Sequence, residues 1–102
     1  MNFDEYDVPK HLNICGRKIK IKVVENLVIE GIGKANGCYQ HDLNLITLDS
    51  LDGMDTATLL HEAVHAVMTS SGLADVVGLA VEEAICRAME MLAPAINFKG
   101  KR

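Results

Sequence analysis

The stretch Thr58-Leu59-Leu60-His61-Glu62-Ala63-Val64-His65-Ala66-Val67 constrains this chain more than any other. Its apolar residues recur at helical spacing, and Leu60, Val64, Val67 and Met68 form the expected inward stripe. Asp55 or Thr56 suits the N-cap and Gly72 suits the stop, so the helix is predicted to run to about Ser71. On such a helix His61 and His65 lie one turn apart on the same face. Two neutral imidazoles held like that can grip one metal ion, most often zinc. Glu62 is rotated from His61 by about 100°. It is badly placed to ligate the same ion and well placed to reach a water beside it. The pattern therefore fits metal-assisted hydrolysis, in which the ion acidifies a water and a carboxylate takes its proton.

A chain of 102 residues has room for one small domain and one core, expected to span residues 1–102. Hydrophobic residues make up 49%, but there are only two Tyr, two Phe and no Trp, so the core must be built of Leu, Ile, Val, Ala and Met. The net charge is -4 and no long stretch is basic, which argues against nucleic acid as a partner. No apolar run reaches 18 residues without a charge, so no membrane span is expected. Cys15, Cys38 and Cys86 are odd in number and have no C-x-x-C spacing. They argue against a disulfide framework and against a thiolate zinc site, and they suit a reducing cytoplasm. Asp4, Glu5 and Asp7 stand where a signal peptide would need positive charge.

Residues 1–13 read as a loosely held lead-in, with His11 as a surface histidine. Ile14 to Val24 alternates: Ile19, Ile21 and Val23 point one way, and Lys18, Lys20 and Lys22 the other, as in a half-buried strand. Leu27, Val28 and Ile29 extend it or start another strand. Gly31, Gly33 and Gly37 then break the pattern; they lack a phosphate-loop fingerprint and read as a mobile loop. Gly37–Gln40 and Leu45–Leu48 form a predicted hairpin around the turn His41-Asp42-Leu43-Asn44. Tyr39 and His41 are ordinary strand-end residues, or else outer-shell groups or oxyanion donors beside a metal. After a short connector, a second helix is predicted from about Leu79 to Leu92, with Val81, Ile85, Ala88, Met89 and Leu92 as its stripe and Pro94 beyond its end. Residues 97–102 read as a frayed basic tail. The expected fold is α+β: a small antiparallel or mixed sheet of about three strands on two helices.

A catalytic zinc usually has three protein ligands and one open position. Two histidines are too few, and Glu82 and Glu83 at the start of the second helix are the candidates for the third. A short connector makes the two helices antiparallel neighbours and returns this acidic pair to the first helix. The pair also has a plain explanation, since carboxylates in a first turn favour the helix dipole.

H-E-x-x-H followed by a helix bearing a glutamate resembles the gluzincins, the thermolysin-like clan of zinc metallopeptidases. Glu82-Glu83-Ala84-Ile85 is similar to that family's Asn-Glu-Ala-Ile run. The resemblance implies one zinc ion per chain, with His61, His65 and Glu83 as ligands and Glu62 as general base. Arg87 stands where the family has an acidic residue four places after its ligand, and the apolar stripe puts Glu82 nearer the packed face, so Glu82 stays open as the ligand. From about Ile19 to Leu92 the chain looks still more like the minimal zincin-like proteins of phages and mobile elements.

The function implied is hydrolysis of peptide bonds in a protein or peptide substrate. The strand Leu45–Leu48 is expected to offer an edge to an extended peptide, and His41, Tyr39 or His11 to donate to the oxyanion. The alternative is a non-catalytic zinc-binding adaptor or inhibitor on the same scaffold.

Overall fold

At Cys15 and Gly16 the backbone takes positive φ at two successive residues, 51° and 79°. That is the two-residue turn which matches the twist of an antiparallel hairpin. In the computed structural model, which describes residues 8–96, this turn joins β1 (His11–Ile14) to β2 (Arg17–Val24), with Leu12 opposite Ile19. The expected single strand from Ile14 to Val24 is thus broken, and the end of the supposed lead-in is itself a strand. Residues 1–7 of that lead-in and the tail 97–102 lie outside the described residues. Ile19 and Ile21 are buried while Lys18, Lys20 and Lys22 face out, as their alternation implies; Val23 is exposed.

The glycine-broken stretch forms a small hairpin of β3 (Val28–Ile29) and β4 (Gly33–Lys34). Gly31 and Gly33 supply the positive φ that its turn needs. β5 (Gly37–Gln40), a 3-10 turn at His41–Leu43 and β6 (Leu45–Asp49) follow, with Asn44 in the left-handed region at the turn. β6 runs parallel to β2 and antiparallel to β5, and the sheet order is β1-β2-β6-β5. The molecule is α+β, with a four-stranded mixed sheet, a two-stranded sheet and three helices in place of about three strands and two helices.

Because β6 is paired on both sides, Leu45–Leu48 offers no edge; the free edges are β1 and β5. Double pairing also explains why Ile46, Thr47, Leu48 and Asp49 are all buried.

Asp49 ends β6 and ties several segments together. Its carboxylate accepts from Leu27 N and Lys34 Nζ, both at 2.7 Å, and from Asp52 N and Leu51 N at 2.9 and 3.2 Å. The β3–β4 hairpin and the approach to the first helix therefore meet at one buried carboxylate. Gly53 lies here because a Cβ would stand 1.9 Å from the Asn36 carbonyl oxygen.

α1 (Thr56–Ser70) is capped by the Asp55 side chain, which accepts from Thr58 N at 2.7 Å. Its sheet-facing residues are Leu59, Ala63 and Ala66, which join Ile14, Ile19, Ile21, Ile46 and Leu48 in the core. Of the expected stripe Leu60 and Met68 are buried and Val67 is exposed, and the sheet-facing side is rotated from it. Two alanines let the helix lie close to the sheet, and the rotation carries Glu62 inward. The connector is itself a short helix, α2 (Leu73–Val77), between Gly72 and Gly78, each with φ of 81°. α3 (Leu79–Met89) packs on α1 and continues as a 3-10 segment, Glu90–Ala95, which contains Pro94. Its buried residues are Glu82 and Cys86, whereas Val81 and Ala88 of the expected stripe are exposed. α3 thus turns a partly acidic face toward α1.

Candidate metal centre

α1 presents His61 and His65 side by side, with ring centroids 5.0 Å apart, because four residues make about one helical turn. Both side chains are mostly covered. Their Nε2 atoms converge on one carboxylate: His61 Nε2 lies 2.9 Å from Glu83 Oε1, and His65 Nε2 lies 3.1 Å from Glu83 Oε2. Each Nδ1 has a different partner. His61 Nδ1 pairs with Glu90 Oε2 at 2.7 Å, and His65 Nδ1 pairs with Glu82 Oε2 at 2.5 Å.

The neighbouring glutamates on α3 therefore do different things. Glu82 is buried and holds the outer nitrogen of one ring, while Glu83 is half-exposed and bridges the inner nitrogens of both. Arg87 Nε, one turn on, is 3.9 Å from Glu83 Oε1.

Two further residues join the centre: Glu90, which the sequence did not single out, and Cys86, whose spacing from the other cysteines had argued against a thiolate ligand. Glu90 is seven residues beyond Glu83, two turns along the same side, and supplies the carboxylate to His61 that Arg87 cannot. Cys86 is three residues beyond Glu83 and fully buried. The ligating atoms of His61, His65 and Cys86 lie within 4.8 Å of one another, so this group could hold a metal ion. The spacings 83–86 and 83–90 are the signals that would have found them.

Glu62 faces the sheet side of the same site and is buried. Gly37 of β5 lies against it: a Cβ there would be 3.1 Å from Glu62 Cγ and 2.9 Å from Thr58 Cγ2. Burial lifts the Glu62 carboxyl above its ordinary pKa, with Glu83 adding to the rise, while His65, His61 and the Tyr39 backbone amide pull it down. Burial, reinforced by Glu83, Glu82, Glu62 and Glu90, pushes the Cys86 thiol up to about 12. Burial also raises Cys38, with Glu62 contributing.

His61, His65, Glu62, Glu82, Glu83, Glu90 and Cys38 open onto a cleft of about 830 Å³, with Cys86 buried behind it. One wall is the β3–β4 hairpin, with Ile29, Ile32 and Lys34; the others are β5 and the facing sides of α1 and α3. Tyr39 and His41 line it too. Tyr39 Oη donates to His41 Nδ1 at 2.7 Å, and Arg17 Nη2 donates to the His41 carbonyl oxygen at 2.7 Å. Neither residue is bonded to the histidine pair on α1. His11 lies on the outer strand β1 and does not line the cleft.

Four carboxylates surround two imidazoles here, an excess of negative charge that a divalent cation would offset. Nitrogen, oxygen and sulfur donors on two packed helices suit a borderline-soft ion better than magnesium or calcium. Among the described residues no helix is long and apolar enough to cross a membrane. No protein-family model, no curated protein and no solved structure matches the chain.

Proposed function

We propose that this chain is a minimal zincin-like metallopeptidase, a zinc-dependent hydrolase that cleaves peptide bonds. The observation that carries the reading is the convergence of His61 Nε2 and His65 Nε2 on the Glu83 carboxylate, with each Nδ1 held by a carboxylate of its own. Outer carboxylates of this kind fix ring orientation and leave the inner nitrogens free to ligate. In this reading His61, His65 and Glu83 are ligands for one zinc ion, and Glu82 is an orienting residue.

A zinc ion held there would lower the pKa of a water and polarise the substrate carbonyl. Glu62 takes the proton of the attacking water and passes it to the leaving amine. Its burial supports that role, because a raised carboxyl pKa lies closer to neutrality and so suits a base that must also return the proton. An extended peptide would lie along β5, the free edge nearest α1. Tyr39 and His41 face the substrate side of the cleft and are the candidate oxyanion donors. A reducing compartment such as the cytoplasm suits three free cysteines.

The test has two parts. Elemental analysis after dialysis should find about one zinc per chain, lost in His61→Ala. Glu62→Gln should keep the zinc and abolish peptide hydrolysis. A protein that binds no added zinc overturns the metal centre. Zinc binding with a biological effect unchanged by Glu62→Gln would make the domain a non-catalytic zinc-binding adaptor or inhibitor instead.

A further inference from the structure

We propose that Cys86 is a fourth protein ligand of this metal ion, so that the resting centre is closed by two imidazoles, a carboxylate and a thiolate. The inference rests on the metal reading above and goes beyond it, because His61, His65 and Glu83 alone leave one position open.

α1 offers His61 and His65 four residues apart; α3 offers Glu83 and Cys86 three apart. Each pair shares a helix face. The packed helices bring His61, His65 and Cys86 together, and Glu83 reaches both imidazoles. In a tetrahedral zinc site, bond lengths of about 2.0–2.3 Å place ligand atoms roughly 3.3–3.6 Å from one another. The ligating atoms of His61, His65 and Cys86 already lie within 4.8 Å, so closure needs shifts of about an ångström. Glu82 cannot serve equally well, since its Oε2 is occupied by His65 Nδ1. Cys86 is fully buried beside the two imidazoles. On binding, the S–H bond breaks, its proton leaves to solvent, and the sulfur lone pair forms the bond to the ion.

The four ligands differ in freedom. Cys86 has no exposed surface, whereas Glu83 is 35% exposed and has Arg87 as a second partner 3.9 Å away. A water would reach such an ion by a fifth position or by release of Glu83, the more exposed carboxylate ligand.

The experiment loads the full chain with cobalt(II) and reads thiolate-to-cobalt charge-transfer absorption in the near ultraviolet. The chain has three cysteines, so the double variant Cys15→Ser/Cys38→Ser leaves Cys86 as the only thiol; of the two replaced, Cys38 lines the cleft, and serine keeps its size there. The band is expected at one cobalt per chain in the wild type and in this double variant. It should be absent in Cys86→Ser and Cys86→Ala, with cobalt bound more weakly by at least the roughly 10–100-fold that an outer-shell change costs. Stoichiometric cobalt with visible d–d bands but no charge-transfer band overturns the proposal and leaves the metal centre standing. A band that disappears with Cys38 and survives Cys86→Ser overturns it too. A chain that binds neither cobalt nor zinc removes both readings.

Discussion

His61 and His65 differ in what stands behind them, and Glu90 is the residue whose removal tests the arrangement. Its carboxylate holds His61 Nδ1 at 2.7 Å and its side chain is partly exposed, so Glu90→Ala should cost little in folding. Without that acceptor the His61 ring is free to turn and is a weaker donor. Zinc affinity should fall about 10–100-fold, measured by competition against a chromogenic chelator. Unchanged affinity would mean that the contact does not orient the ring. Gly37 acts in a complementary way. It lets β5 approach α1 closely enough to bury Glu62, and Gly37→Ala should displace that carboxylate and destabilise the domain by about 1–3 kcal/mol, read from chemical unfolding.

The β3–β4 hairpin has only two residue pairs, so it depends on an anchor outside itself. That anchor is Asp49. The Lys34 ammonium first, and then the Leu27, Asp52 and Leu51 amides, hold its carboxyl well below the usual carboxylate range, against the opposing effect of burial. The unfolded chain therefore binds a proton at a pH where the folded chain does not. The resulting stabilisation is complete above an ordinary Asp pKa of about 4 and is lost as pH falls from there toward the depressed value. Tm should drop steeply on acidification below about pH 4. Asp49→Asn should lower Tm at neutral pH and flatten that acid limb. Equal slopes in the two proteins would show that Asp49 is not the group responsible. Because Ile29, Ile32 and Lys34 wall the cleft, the same substitution should also loosen one side of the candidate site.

Two kinds of cohesion meet in the whole molecule. The sheet and the inner face of α1 share a continuous apolar core. α3 instead meets α1 through Glu82, Glu83, Cys86 and the two histidines, groups that cannot be stable together as charges without compensation. Metal binding should therefore stabilise the domain and act most on α3. Mass action sets the size at about 2.7 kcal/mol when free zinc is a hundred times its Kd. A chelator should lower Tm correspondingly, and hydrogen exchange should quicken in α3 while β6 stays protected. Uniform loss of protection across both elements would count against this division.

The amino-acid sequence alone determined the local geometry. H-E-x-x-H on a helix with an Asp N-cap places His61 and His65 on one face whatever lies around it, because the helical repeat is a property of the backbone. The turn residues His41–Asn44 and the alternation around Ile19 and Ile21 were legible for the same reason. Tertiary structure decided the rest. β6 is interior because β2 pairs with it across a long connection, which no local pattern records. α1 buries Leu60 and Met68 as the stripe implies, but it is Leu59, Ala63 and Ala66 that meet the sheet, because contact there rewards close approach. The different positions of Glu82 and Glu83, and the arrival of Cys86 and Glu90, depend on how α3 is rotated against α1. That rotation follows from partners for buried polar groups, which a stripe drawn from hydrophobicity alone could not anticipate.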